Sequence, residues 1–173
     1  NGTKLFNEED VRGICGLAKG AKRHDLTKIG KFGLGFKSVY AYTSAPYIYS
    51  GEVCFKIEKF VRPYEIVPLE GLTKNLTKFI LPFKEDIKDK AYNEIKSKIS
   101  ALDLTTTLFL KSIQKIKWRY DDTWGEYLRD PLTNEKFEIK QLISKNMGIT
   151  KSQQEWIIFR KPIEIIENKK LFV

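Results

Sequence analysis

The chain has 173 residues, a formal net charge of +9, 42% hydrophobic and 13% aromatic residues, enough apolar material for a packed core and too much for a disordered chain. No apolar run approaches the roughly 18 residues of a membrane helix, and no segment reads as a signal peptide, so no membrane partner is expected. The two cysteines, Cys15 and Cys54, have neither metal-ligand spacing nor a disulfide pattern; they are expected to be buried thiols of a cytoplasmic protein.

In chain order, Asn7-Glu8-Glu9-Asp10 is a helix start, a capping Asn followed by acids. Val11, Ile14, Cys15 and Ala18 then make one apolar stripe. The basic stretch from Lys19 to Lys28 is expected to be a mobile loop. After it comes the most informative segment, Ile29-Gly30-Lys31-Phe32-Gly33-Leu34-Gly35-Phe36-Lys37-Ser38-Val39-Tyr40, running into a helix from about Phe36 to Tyr42. Pro46 to Ser50 and Val53 to Phe60 are strands joined at Ser50-Gly51, the second with Val53, Phe55 and Ile57 on its buried face. Pro63 and Pro68 bracket a short extended piece, and Thr77 to Phe83 is a further strand. Ile87, Ala91, Ile95 and Ile99 recur every four residues, an amphipathic helix. From Asp103 onward Thr105–Leu110, Ile113–Trp118, Lys136–Ile139 and Glu155–Phe159 are strand-like. Asp121-Asp122, Gly125, Asp130-Pro131 and Asn134 are placed in turns, and Ile139–Ser144 in a short helix. Trp118, Trp124 and Trp156 are expected in the core of this part. The fold class is α+β: a two-layer α/β sandwich over residues 1–102, then a mostly antiparallel β extension over 103–173.

Glycines that lead into a helix let the backbone approach a ligand and present unpaired N–H groups, a phosphate-binding device. Three chemistries share that look. The dinucleotide fingerprint G-x-G-x-x-G begins at Gly33-Leu34-Gly35, but Ser38 stands where its third glycine belongs. The P-loop spacing fits Gly30 to Gly35, but Phe36 intrudes before Lys37-Ser38. The third is a resemblance. The segment from Ile29 to Tyr40 resembles the second glycine box of the GHKL (Bergerat-fold) ATPases. These include heat-shock chaperones, the gyrase ATPase subunit, MutL and histidine kinases. Lys37-Ser38-Val39-Tyr40 is closer to the sacsin-type branch. Leu76-Thr77-Lys78-Phe79-Ile80-Leu81-Pro82-Phe83-Lys84-Glu85-Asp86 resembles the late family strand whose threonine supports adenine. Asn1-Gly2, with Phe6 and Asp10-Val11-Arg12-Gly13-Ile14, is similar to the end of the first glycine box, although Lys4 replaces an expected glycine.

The resemblance implies a partial Bergerat fold that binds ATP or ADP with Mg²⁺. It assigns the triphosphate to backbone amides at Gly33, Leu34, Gly35 and Phe36, with Lys37 and Lys31 as phosphate contacts. Thr77 is assigned to adenine, Gly2 to the first box, and residues 10–31 to a lid. The family's adenine-anchoring Asp, its water-activating Glu and its Mg²⁺-holding Asn fall before Asn1, so no catalytic residue and no metal ligand is assigned here. Glu8, Glu9 and Asp10 are helix-start acids, and the lone His24 is not assigned as a base. The implied role is a module coupling nucleotide state to neighbouring domains, or to a second protomer, of a larger chaperone- or remodelling-type protein. Two alternatives stand beside it: a nucleotide sensor without hydrolysis, and the ATPase module of a nucleic-acid-processing protein. The basic charge and the mixture Lys111, Lys115, Lys117, Trp118, Arg119 and Tyr120 motivate the last; a strand with one wet and one buried face explains the same residues.

Overall fold

The computed structural model describes residues 4–16, 34–72, 75–110, 113–132 and 138–158. The expectations for Gly2, His24, Lys31, Gly33, Lys111, Asn134 and the loop from Lys19 to Lys28 lie outside the described residues. The chain divides into two compact units, Asn1–Ser97 and Lys98–Val173. Both contain an antiparallel sheet, and helices accompany the sheets, which is an α+β protein.

In the first unit, helix α1 (Glu8–Ile14) starts where the capping signal stands. The Asn7 side chain accepts from the Asp10 N–H at 2.9 Å, and the Asp10 carboxylate accepts from the Asn7 N–H at 3.1 Å, closing a reciprocal capping box. The helix ends at Gly16, whose φ is +70°, a conformation glycine adopts without steric cost. Helix α2 (Leu34–Lys37) is a single turn that tightens into a 3₁₀ helix at Ser38–Ala41. The Ser38 hydroxyl donates to the Gly35 carbonyl at 2.8 Å, which ties the two pieces together. The sheet contains β1 (Tyr47–Ser50), β2 (Val53–Glu58), β3 (Arg62–Glu65) and β4 (Thr77–Ile80) in the order β3-β2-β1-β4. Gly51, at φ +61°, turns β1 into β2. The expected alternation holds on β2: Phe55 and Ile57 join Cys15, Tyr40 and Ile48 in the core. Cys54, on the other face, is buried as well. Helix α3 (Lys88–Ser100), whose last residues belong to the second unit, follows the four-residue apolar repeat, with Ala91 buried and Ile87, Ile95 and Ile99 half-buried.

The second unit corrects several expectations. Residues expected as a strand from Thr105 form a 3₁₀ helix at Leu104–Phe109. Asp103 caps it, accepting from the Thr105 N–H and hydroxyl, each at 2.8 Å; local side-chain bonding defeats the β preference of a threonine run. The sheet is a meander, β5 (Lys115–Tyr120), β6 (Thr123–Leu132), β7 (Glu138–Asn146) and β8 (Ile149–Ile158), in sequence order. The expected helix at Ile139–Ser144 is part of β7. Asp121-Asp122 is a turn as expected, but Gly125 lies inside β6 opposite Trp118. A Cβ there would come within 2.4 Å of the Trp118 ring and 2.7 Å of the Lys145 carbonyl. The glycine is therefore a cavity for the indole rather than a turn. Asp130-Pro131 also lies in β6, past the end of β5, where β6 is an edge strand and tolerates a residue without N–H. Trp118 joins Leu104, Tyr127 and Leu142 in the core. Trp124 and Trp156 do not: they are 38% and 41% exposed.

Candidate functional site

Beta pairing places Ser50 opposite Thr77 and Ile48 opposite Phe79. Thr77 and Phe79, two apart on one strand, therefore share the sheet face that bears the core residue Ile48. The Thr77 hydroxyl lies 2.6 Å from the Ser50 hydroxyl, and Ser50 also accepts from the Phe6 N–H at 2.9 Å. Phe6 comes just before the α1 cap. Its ring meets Phe79 at 6.1 Å and Phe55 at 6.2 Å between centroids. Phe36 of α2 reaches the same place, with its ring 6.1 Å from Phe79 and 6.4 Å from Tyr40. Three segments distant in sequence thus meet around Phe79: the start of α1, the glycine-rich turn and the strand carrying Thr77. Phe79 is 43% exposed, so this aromatic group is accessible from one side. Sequence reasoning pointed to Phe36 and Thr77. It missed Ser50 and Phe79; only the antiparallel register brings them in.

Of the residues assigned to the phosphates, Gly35, Phe36 and Lys37 have definite settings. A Cβ built on Gly35 would meet nothing within 4 Å, so open space lies beside that backbone. Gly35 is not among the positive-φ glycines, and its use here is clearance rather than a left-handed turn. Phe36 is committed to aromatic packing. Lys37 points back toward the end of α1: its Nζ would lie 2.9 Å from a Cβ on Gly16. A cation there complements the negative end of the helix. It also acts on Cys15. Burial pushes that thiol above its ordinary pKa, and the Lys37 charge opposes the rise. Burial likewise raises the Tyr40 phenol, with Cys15 adding to it. Both cysteines are buried free thiols.

Beside this cluster a cavity of about 630 Å³ opens at the β1–β2 turn, within the usual range for small-molecule pockets. Phe6, Ser50, Val53, Leu69, Leu72 and Asn75 are among its walls. Ser50 and Phe6 thus belong to both places, and Ser50 links the cavity wall to Thr77. Among the described residues no group of three His, Cys, Asp or Glu is placed to hold a metal ion. In the second unit, Lys115, Lys117 and Arg119 are exposed on β5 while Trp118 between them is buried. The strand alternates, and the aromatic that shares the cations' face is Trp124, opposite Arg119. No helix of the described residues is long and apolar enough to cross a membrane.

Comparison with known proteins bears on the same segment. Residues 1–60 match the family model of the sacsin domain. The match contains the glycine-rich turn, Phe6 and Ser50, and stops before Thr77. Sacsin of Homo sapiens is 46% identical over 48 residues, which is 28% of this chain and 1% of sacsin. Protein NO VEIN of Arabidopsis thaliana is 27% identical over 164 residues, covering 82% of this chain and 6% of that protein. The chain therefore spans a small fraction of the length of these relatives. No solved structure matches it.

Proposed function

We propose that this chain is an ATP-binding module of the GHKL type, a partial Bergerat sandwich, within a larger sacsin-like protein of chaperone-related function. The observation that carries this reading is the Phe36–Phe79 contact at 6.1 Å. It joins the glycine-rich turn to the strand of Thr77, which supports a reading in which backbone amides of the one and the hydroxyl of the other serve a single ligand. The sacsin-domain match over residues 1–60 supports the same assignment.

In this reading the amides near Gly35, beside open space, receive the phosphates. Phe79, accessible from one side, offers its ring to the base. Ser50 holds the Thr77 hydroxyl in place, so Thr77 keeps a hydrogen bond before and after a ligand arrives. A helix end stabilises an anion by only about 0.3–1 kcal/mol, whereas micromolar binding requires about 8 kcal/mol. Burial of the base must therefore carry most of the affinity. Mg²⁺ accompanying the nucleotide would neutralise phosphate charge, and the described residues do not fit a metal-ligand set of their own. Hydrolysis is not supported by these residues: Asp10 is engaged by Asn7 and Lys4, and Glu8 by Arg12. Nucleotide state would be passed to neighbouring domains or a second protomer.

The test is calorimetric titration of the chain with ATP, ADP and a non-hydrolysable analogue, with and without Mg²⁺. Saturable binding is expected, weakened by about 1 kcal/mol or more in Thr77→Val, which keeps shape and loses the hydroxyl. Phosphate release by the purified chain should stay at background. A folded chain that binds no adenine nucleotide overturns the proposal.

A further inference from the structure

β8 is the outermost strand of the second unit's sheet, paired with β7 on one side. Nearly all of its residues are exposed. They include Ile149 at 65%, Trp156 at 41% and Ile157 at 55%. Among the described residues no strand pairs with the outer side of β8, and an edge of this length is a template for another strand. The ladder with β7 has one irregularity. Ser144 faces Ser152 while Lys145 faces Thr150, so Lys151 has no residue opposite it. A bulge bearing a lysine keeps an edge from pairing indiscriminately, and here it also places a cation within a self-complementary run. Outward from Gln153 the strand reads Ser152 and Gln154, then Lys151 and Glu155, then Thr150 and Trp156, then Ile149 and Ile157.

We propose that β8 pairs antiparallel with β8 of a second copy of this chain, about a twofold axis through Gln153. Lys151 of each copy then faces Glu155 of the other, and the symmetry makes this ion pair twice. Opposite charges set symmetrically about a strand's centre favour self-pairing, because each cross-strand pair is then complementary. Glu155 is free to take part: it accepts one bond from Gln141 Nε2 at 3.2 Å and has a second carboxylate oxygen. The bulge turns Ile149 and Thr150 away from the faces a regular strand would give them. The register is therefore set by the ion pairs, and the exposed Ile149, Trp156 and Ile157 add apolar cover at the ends. Two four-stranded sheets would join into one. This inference does not depend on nucleotide binding.

Sedimentation equilibrium of the full chain over a wide concentration range tests it. A monomer–dimer equilibrium is expected. Glu155→Lys sets lysine against lysine at both pairs and should weaken the dimer about tenfold or more, as should Lys151→Glu. The double variant Lys151→Glu with Glu155→Lys restores opposite charges and should recover the original affinity. Circular dichroism establishes that each variant is folded. A monomer at every concentration overturns the proposal. So does a dimer indifferent to the single reversals, or a double variant as weak as the single ones.

Discussion

At the scale of the residue, two glycines show how one amino acid serves opposite purposes. Gly125 has no room for a methyl group, because Trp118 fills the space, and Gly35 has nothing within 4 Å of a built Cβ. Gly125→Ala should cost about 1–3 kcal/mol through overpacking. Gly35→Ala should leave stability unchanged or raise it by about 0.5–1 kcal/mol, since alanine favours a helix. Denaturant unfolding of the two variants checks both. Because Gly35→Ala carries no stability loss, weaker nucleotide binding in that variant would report close backbone approach by the ligand. The candidate site was legible to the same degree. Phe36 and Thr77 lie in recognisable motifs; Phe79 shares the motif of Thr77 but nothing in it marks that residue out, and Ser50 carries no motif. Ser50 acquires its role by standing opposite Thr77, and no local pattern encodes which residues face each other across a sheet.

At the scale of the element, legibility followed the strength of the local signal. Asn7 with Asp10 marked the start of α1, and Phe55 with Ile57 marked the buried face of β2. The second unit was harder to read. Ile139, Leu142 and Ile143 fall at i, i+3 and i+4, which imitates a helix. In β7 they are split instead: Leu142 is fully buried, and Ile139 and Ile143 lie on the other face. Tertiary pairing with two neighbouring strands overrides the local period. Thr105–Leu110 failed for a different reason, the Asp103 cap. That cap leads to a pH prediction. Its two bonds from Thr105 hold the Asp103 carboxyl below its ordinary value of 3.8. A depressed folded-state pKa adds stability above the ordinary value, and that stability is lost as pH falls through the folded value. Asp103→Ala should therefore unfold more easily than the original chain at neutral pH, and the difference should shrink as pH falls below 3.8. Thermal melts of both proteins across that range measure it.

At the scale of the whole molecule, each unit has its own buried cluster. One is built around Ile48, Phe55 and Ile57, the other around Trp118, Tyr127 and Leu142. Separate cores predict unfolding in more than one step. Scanning calorimetry should give a calorimetric enthalpy larger than the van't Hoff value. Equality of the two would show that the units melt as one. Adenine nucleotide should move only the transition that belongs to the first unit, by mass action on its folded form.

The placement of the tryptophans has a practical result. Trp118, Trp124 and Trp156 all fall in the second unit, and the candidate site lies among phenylalanines and tyrosines of the first. Intrinsic indole fluorescence will follow the meander and, through Trp156, any strand that docks on it. No indole is among the rings around Phe79, so a flat fluorescence titration with ATP would say nothing against binding.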